Sequence, residues 1–462
     1  MDSESDKMDT HHVYRHDGTL YAAVLAKSDV KTGSNSYYRL QVLESDDRKN
    51  YCVFRAWGRV GTTVGKKTVD EFDDADDAIK LFKKLYADKT SNLFGEPFVK
   101  KPLKMYPLDI DVGQDILQEN QAEPKVLSGS KTTLEKPVQD LLTAIFDVNA
   151  FRETMIEMEL DLSKMPLGKI SKAQIKVAYE ILSSALKELS SESAAKTSNL
   201  DRFSNMFFTL IPHDFGLRKP TVLNTEDIIK SKLGMLDTLL EIEIATMIIK
   251  NEITNDEEDP MDVHYRALKT EIKVLDKTSP EFKLIEQAVK TTHAPTHVEY
   301  QLIVEDVFVV SRQGEDQLKD ATITAIGNRK LLWHGSRVAN YVGILSQGLR
   351  IAPPEAPTSG YMFGKGIYLS DMVTKSANYC MASHARPTGL LLLGEVALGE
   401  MHELTQSDFI EKLPAGKSST KGALKSIQEI FFYLSIHVSQ AAEQLAHGNS
   451  CRLLLAPILS FL

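Results

Sequence analysis

"RKLLWHGSRVANYVGILSQGLRIAPPEAPTSGYMFGKGIYLSDMVTKSANYC", residues 329–380, decides how this chain is read. A strand-like Leu331-Leu332-Trp333 runs straight into His334-Gly335-Ser336, setting an imidazole, a bare backbone and a hydroxyl at a strand end. Glycine admits a ligand close to main-chain NH and CO groups, so an amide or phosphate can be gripped there without bulky side chains. "GYMFGKGIYLSD" (360–371) repeats the idea: Gly364 and Gly366 free the backbone around Lys365, and Tyr368 offers an aromatic face. Neither run is a Gly-x-Gly-x-x-Gly fingerprint after a strand or a Gly-Lys-Ser/Thr loop, which argues against Rossmann and P-loop enzymes.

Around this stretch, "VEYQLIVEDVFVV" (298–310) and "GLLLLGEVALG" (389–399) read as strands, so residues 260–426 form a β-rich domain whose glycine-rich loops carry the chemistry. Before the charged break "NDEEDP", residues 135–255 are helical throughout. Val138, Leu141, Leu142 and Ile145 share one face, and Ile175, Ala178, Leu182 and Ala185 another. Residues 106–134 are polar and aperiodic and read as a linker. Residues 20–105 read as a small α+β unit, with strands "YYRLQVL" and "YCVFRAWGRVG" followed by an amphipathic helix on Ala78, Phe82 and Leu85. Residues 1–19 read as a disordered terminus. The expected fold class is therefore multidomain α+β.

Composition agrees with several packed domains: 462 residues, 42% hydrophobic and 26% charged. A formal charge of −10 argues against a chain that coats nucleic acid everywhere, while leaving room for a local basic surface. Cys52, Cys380 and Cys451 are too few and too scattered for a zinc site, and a reducing compartment is the simpler reading. No apolar run is long enough to span a bilayer, so neither a metal nor a membrane partner is expected.

"FRAWGRVGTTVGKK" (54–67) sets Trp57-Gly58-Arg59 among Arg55, Lys66 and Lys67, an aromatic platform with cations suited to a base and its phosphates. Alone, the tripeptide is weak, because a strand tryptophan is usually core. In the same chain as residues 329–380 it resembles the WGR domain of the DNA-dependent poly(ADP-ribose) polymerases. Residues 329–380 resemble that family's catalytic signature, and "MPLGKISKAQI" with "FFTLIPHDFG" resembles its regulatory domain. Within the family the likeness is nearest the poly(ADP-ribose) polymerase 2 type.

The resemblance implies a WGR domain, an all-helical regulatory domain and a mixed β-rich ADP-ribosyltransferase domain. It implies NAD as substrate, DNA with strand breaks as partner, acceptor proteins including the chain itself and histones, and residence in the nucleus. His334, Tyr368 and Lys365 would be catalytic. His334, Gly335, Ser336, Gly343, Arg350, Ser376 and Tyr379 would bind NAD, while Trp57, Gly58 and Arg59 would bind DNA. Helices obstructing the site would yield when a break engages the WGR region.

One expectation departs from the family. The catalytic glutamate should lie in a late strand reading approximately Asn-Glu-Tyr-Ile-Val-Tyr, and no such segment is read. The likeness is expected to stop near Lys425, with Glu395, Glu400 and Glu403 not matching and Glu429 and Glu443 in an unfamiliar tail. The domain is thus expected to be truncated, with unpaired strand edges. Ile427, Ile430, Phe431, Leu434 and Val438 share a helical face, which predicts an amphipathic helix over 427–462. The alternative function is a catalytically impaired DNA-end-binding protein.

Overall fold

The computed structural model describes residues 1–108, 132–160, 171–251, 258–298, 300–314, 325–351, 356, 363–383, 386–406, 408, 410, 412–423, 430–434 and 453–460. They fall into two compact units. One is Met1–Asp115 with Arg152–Leu236 and Glu355–Pro357, the other Ile116–Phe151 with Asp237–Pro354 and Thr358–Leu462.

In the first unit, strands β1 (His11–Val13), β4 (Ala22–Asp29), β5 (Ser34–Ser45), β6 (Tyr51–Arg59), β7 (Gly65–Phe72) and β8 (Tyr106–Pro107) make a six-stranded sheet ordered β7-β6-β5-β4-β8, with β1 on β5. The short pair β2 (Arg15–His16) and β3 (Thr19–Leu20) forms a separate hairpin. Helix α1 (Ala75–Thr90) packs Ala78, Phe82 and Tyr86 on the face bearing Tyr38 and Trp57. The opposite face bears Arg39 and Lys67 and is covered by the N-terminal residues, with Asp2 and Glu4 paired to Arg39 and Asp6 to Lys67. The first nineteen residues are therefore ordered, correcting the disordered terminus: their acidic side chains neutralise a basic row that sequence polarity alone does not reveal. Tyr106–Pro107, read as linker, pairs with β4. The rest of that linker to residue 131 lies outside the described residues.

The helices that follow are α2 (Lys136–Ile145), α3 (Val148–Glu157), α4 (Lys172–Leu189), α5 (Lys196–Leu210), α6 (Glu226–Asn251) and α7 (Pro260–Ala267). Ser171 caps α4 by accepting from Gln174 N at 3.1 Å, supplying a partner that a helix start lacks. Helix α6 belongs to the first unit up to Leu236 and to the second from Asp237.

The second unit is built on a ten-stranded sheet: β9 (Thr270–Val274), β10 (Gln301–Val304), β11 (Phe308–Arg312), β12 (Arg329–Ser336), β13 (Ile367–Ser370), β14 (Gly389–Ala397), β15 (Met401–Leu404), β16 (Ser419–Ala423), β17 (Ile430–Leu434) and β18 (Leu453–Ser460). Helices α8 (Pro280–Thr291), α9 (Tyr341–Gln347) and α10 (Val373–Ala377) pack around it. The order is β15-β16-β17-β13-β12-β14-β18-β11-β9, with β10 on β18.

The tail therefore corrects two expectations. Where Ile430–Leu434 and Leu453–Ser460 are described, they are strands and not an amphipathic helix. They also fill the places between β16 and β13 and between β14 and β11, where unpaired edges were expected. "IFFYL" and "LLLAPIL" are short apolar runs of strand length, which periodicity alone does not separate from a helix face. Lys425 to Glu429 and the residues between the two strands lie outside the described ones.

Candidate functional site

The end of β12 meets α10 closely. A Cβ built on Gly335 would lie 1.8 Å from the Ser376 carbonyl oxygen, so only glycine lets these two backbones touch. The Ser376 hydroxyl donates to the Trp333 carbonyl at 2.9 Å, which fixes its proton and leaves its lone pairs to accept from a ligand. The helix is held from behind: Val373 N donates to Thr292 O at 3.0 Å, and the Tyr300 hydroxyl donates to Thr374 O at 3.1 Å.

A cavity opens between these elements, lined by His334, Gly335, Tyr368, Leu369, Ser370, Lys375, Ser376 and Tyr379. His334 Nδ1 lies 2.9 Å from the Tyr368 carbonyl oxygen. A carbonyl only accepts, so Nδ1 carries the proton. Burial holds the His334 pKa below its ordinary value, with the Tyr368 carbonyl opposing, so at neutral pH Nε2 is left as an acceptor. The Tyr368 hydroxyl donates to Gly364 O at 2.8 Å and accepts from Phe363 N at 3.2 Å, pinning the glycine turn where Gly364 has φ of 100°. Tyr379, 55% exposed, adds a second aromatic ring to the lining. An acceptor nitrogen, a backbone without a side chain, a serine oxygen and two aromatic rings suit a flat aromatic carboxamide joined to a hydroxylated group.

Of the expected site residues, His334, Gly335, Tyr368, Ser376 and Tyr379 come together in this lining. Lys365 stands in the turn pinned by Tyr368 and outside the lining. Ser336 continues β12 and accepts from Asn340 Nδ2 at 2.8 Å. Gly343 and Arg350 meet at a second point around a residue that sequence reading passed over. Glu241 of α6 is ion-paired with Arg350, and a Cβ on Gly343 would lie 1.7 Å from Glu241 Oε2. Burial raises the Glu241 pKa more than Arg350 lowers it. Lys375 was also passed over; its signal was its place directly before Ser376.

At the other candidate site, Trp57 lies across from Tyr38 and Lys66, its ring stacked on Tyr38 at 6.0 Å with Arg55 over it at 5.9 Å. Lys67 faces the opposite side of the sheet, so the expected cluster of cations is divided by strand alternation. Gly58 sits in the β6-β7 hairpin, where a Cβ would meet the Val64 carbonyl at 2.3 Å. Arg59 gives three bonds to backbone carbonyls, of Gly33 at 2.7 Å, Gly216 at 2.7 Å and Arg218 at 2.6 Å. Ser28, Val30 and Asn35 bond to Thr209, Asn205 and His213 beside it. Arg59 thus clamps the sheet to the helical segment.

Among the other late carboxylates, Glu395 pairs with Arg329 at 3.3 Å, Glu400 with Lys417 at 3.8 Å and Glu403 with Lys421 at 3.0 Å. No group of three or more metal-ligating side chains occurs among the described residues, and no described helix is long and apolar enough to cross a membrane.

Comparison with known proteins matches residues 21–99 to the WGR domain, 132–265 to the regulatory domain of poly(ADP-ribose) polymerase and 279–444 to its catalytic domain. The catalytic match passes Lys425, where the likeness was expected to stop, and takes in Glu429. The chain is 51% identical over 427 residues to poly [ADP-ribose] polymerase 1 of Danio rerio, covering 92% of this chain and 42% of that protein. It is 46% identical over 424 residues to poly [ADP-ribose] polymerase of Drosophila melanogaster, covering 91% and 42%. It is 42% identical over 427 residues to poly [ADP-ribose] polymerase 1 of Arabidopsis thaliana, covering 90% and 42%. The chain therefore spans about two fifths of the length of these relatives, two of which are named as type 1, so they do not carry the expected likeness to type 2. With WGR, regulatory and catalytic domains matched in that order, this chain belongs to the poly(ADP-ribose) polymerase family.

Proposed function

We propose that this chain is an NAD-dependent protein ADP-ribosyltransferase activated by DNA strand breaks and acting in DNA damage response and repair. The observation that carries the reading is the cavity at the end of β12, with Gly335 against Ser376 and rings on two sides. In this reading the nicotinamide ring lies beside Tyr368 and Tyr379, and its carboxamide bonds to the Gly335 main chain and Ser376 Oγ. His334 Nε2 accepts from the adenine-side ribose. Ser336, Gly343 and Arg350 hold the remainder of NAD, and Lys365 acts from the turn held by Tyr368, beside the lining. Acceptors are proteins, the chain itself and histones among them, and the site of work is the nucleus.

Cleavage of the glycosidic bond builds positive charge at the ribose, so a carboxylate is needed near its hydroxyls. Among the late carboxylates, Glu395, Glu400 and Glu403 are each paired with a cation, and Glu429 and Glu443 lie outside the described residues. Incubation with NAD and nicked duplex is expected to give ADP-ribosylated protein. DNA binding without any product would favour the alternative of a DNA-end-binding protein and remove this reading.

DNA dependence is supported by Glu241, which occupies Gly343 and Arg350 together, and by the Arg59 clamp on the helical segment. Arg59→Ala removes three bonds that are each worth on the order of 1 kcal/mol. Stimulation by nicked DNA is expected to fall about tenfold. DNA affinity, measured by fluorescence anisotropy, should change less, because the guanidinium is spent on the helical segment.

A further inference from the structure

Three polar groups of the cavity spend their protons inside the chain. Ser376 Oγ donates to Trp333 O at 2.9 Å, the Tyr368 hydroxyl donates to Gly364 O at 2.8 Å, and His334 Nδ1 donates to Tyr368 O at 2.9 Å. Ser370 differs from them. It lines the same cavity and its hydroxyl accepts from Met372 N at 3.0 Å, while no acceptor for its own proton occurs among the described residues. At 3% exposure, bulk water does not serve that proton either, and a buried donor without an acceptor is unfavourable. The reaction as read above gives this hydroxyl no task.

Strand geometry sets where Ser370 stands. Tyr368 and Ser370 share a face of β13, and Ser370 pairs with Trp333, two residues before Gly335 on β12. Residues paired across two strands lie on one face, so Ser370 is on the side of the sheet where Gly335 meets Ser376. The bond from Met372 N takes one lone pair of Oγ and holds the hydroxyl at the turn into α10. A carboxamide held by Gly335 and Ser376 leaves the rest of its ring to meet the remaining lining, Ser370 included. A ring C–H edge cannot accept the serine proton, whereas the lone pair of a ring nitrogen can. A site with a buried donor discriminates against a ligand lacking the matching acceptor, because binding leaves the donor unpaired.

We propose that Ser370 is a specificity-determining residue, which donates a hydrogen bond to an acceptor on the edge of the bound ring and makes the subsite favour pyridine carboxamides over benzamide. This rests on the reading of the cavity as the nicotinamide end of an NAD site.

The test uses the full chain with nicked duplex present and three probes: benzamide, nicotinamide and isonicotinamide, which differ in whether and where the ring carries a nitrogen. Their binding is measured by isothermal titration for the unaltered chain and Ser370→Ala. Relative to benzamide, the unaltered chain is expected to bind at least one of the two pyridine carboxamides about fivefold more tightly than Ser370→Ala does, the size of effect one net hydrogen bond has. The same ratios in both chains overturn the proposal. So does an equal weakening of all three probes in Ser370→Ala, which is what a hydroxyl that only holds the turn into α10 would give. If benzamide and both pyridine carboxamides fail to bind the unaltered chain, the NAD reading of the cavity falls and takes the proposal with it. Should Ser370→Ala not fold, Ser370→Cys, which keeps the shape and leaves only a weak donor, carries the same comparison.

Discussion

Gly335→Ala is expected to abolish ADP-ribosyl transfer and nicotinamide binding together while leaving the melting temperature of the chain within a few degrees. The added methyl would sit 1.8 Å from the Ser376 carbonyl oxygen and 2.6 Å from its carbon, with the Leu391 side chain at 3.1 Å. Backbone cannot give way as a flexible side chain does, so β12 and α10 must separate. Separation breaks the bond from Ser376 Oγ to Trp333 O, which orients the serine toward a ligand. A 1 Å misplacement of such groups costs about a hundredfold in rate. Isothermal titration with nicotinamide checks binding, and calorimetric melting checks that the loss is local. Ser376→Ala removes the oxygen without moving the backbone and should therefore cost less. An active Gly335→Ala chain would mean the cavity is not the reaction site.

The main sheet and the stretch that lines the cavity were legible because strand and loop signals there agree. "LLWHGS" is β-rich and ends on a glycine, and the backbone contact that requires the glycine lies within fifty residues of it. The tail was not legible, for a physical reason. Phe431 and Leu434 at helical spacing read as a helix face, yet a short continuous apolar run satisfies that spacing and equally suits a strand flanked on both edges. Only its partners β13 and β16 decide between the two, and neither adjoins it in a local reading.

The WGR stretch shows a different limit. Trp57, Arg55 and Lys66 share a sheet face, as an aromatic platform among cations requires, while Lys67 points away and Arg59 is given to three carbonyls. A cation run in sequence does not say which face each member takes, although strand alternation fixes that once the register is known. Glu241 was hidden in the same way. In "DTLLEIEIATM" it looks like one more charge on the exposed side of a long helix, and only the fold brings Gly343 and Arg350 to it.

Glu241→Ala is expected to raise the rate without DNA by at least tenfold, while the rate with saturating nicked DNA stays near that of the unaltered chain. The carboxylate holds Arg350 and covers Gly343, and its charge repels the phosphates of an incoming dinucleotide. Its own position is costly. Oε2 is buried without a hydrogen-bond partner, and burial raises its pKa beyond what Arg350 takes back. The sign follows: a carboxyl group whose pKa is raised on docking favours the docked helix most below the ordinary carboxylate range and loses that contribution as pH rises through the raised value. At neutral pH the docked α6 thus carries a desolvation cost that is released when the helix moves, which lowers what the proposed DNA signal would have to supply. Truncation to alanine clears Gly343 and frees Arg350 even where α6 stays in place. Arg350→Ala, which removes the partner that would serve NAD, is expected instead to raise KM for NAD in both the presence and absence of DNA. Initial rates with and without nicked duplex separate the two outcomes, and a Glu241→Ala chain still silent without DNA would show that another part of the helical segment holds the site shut.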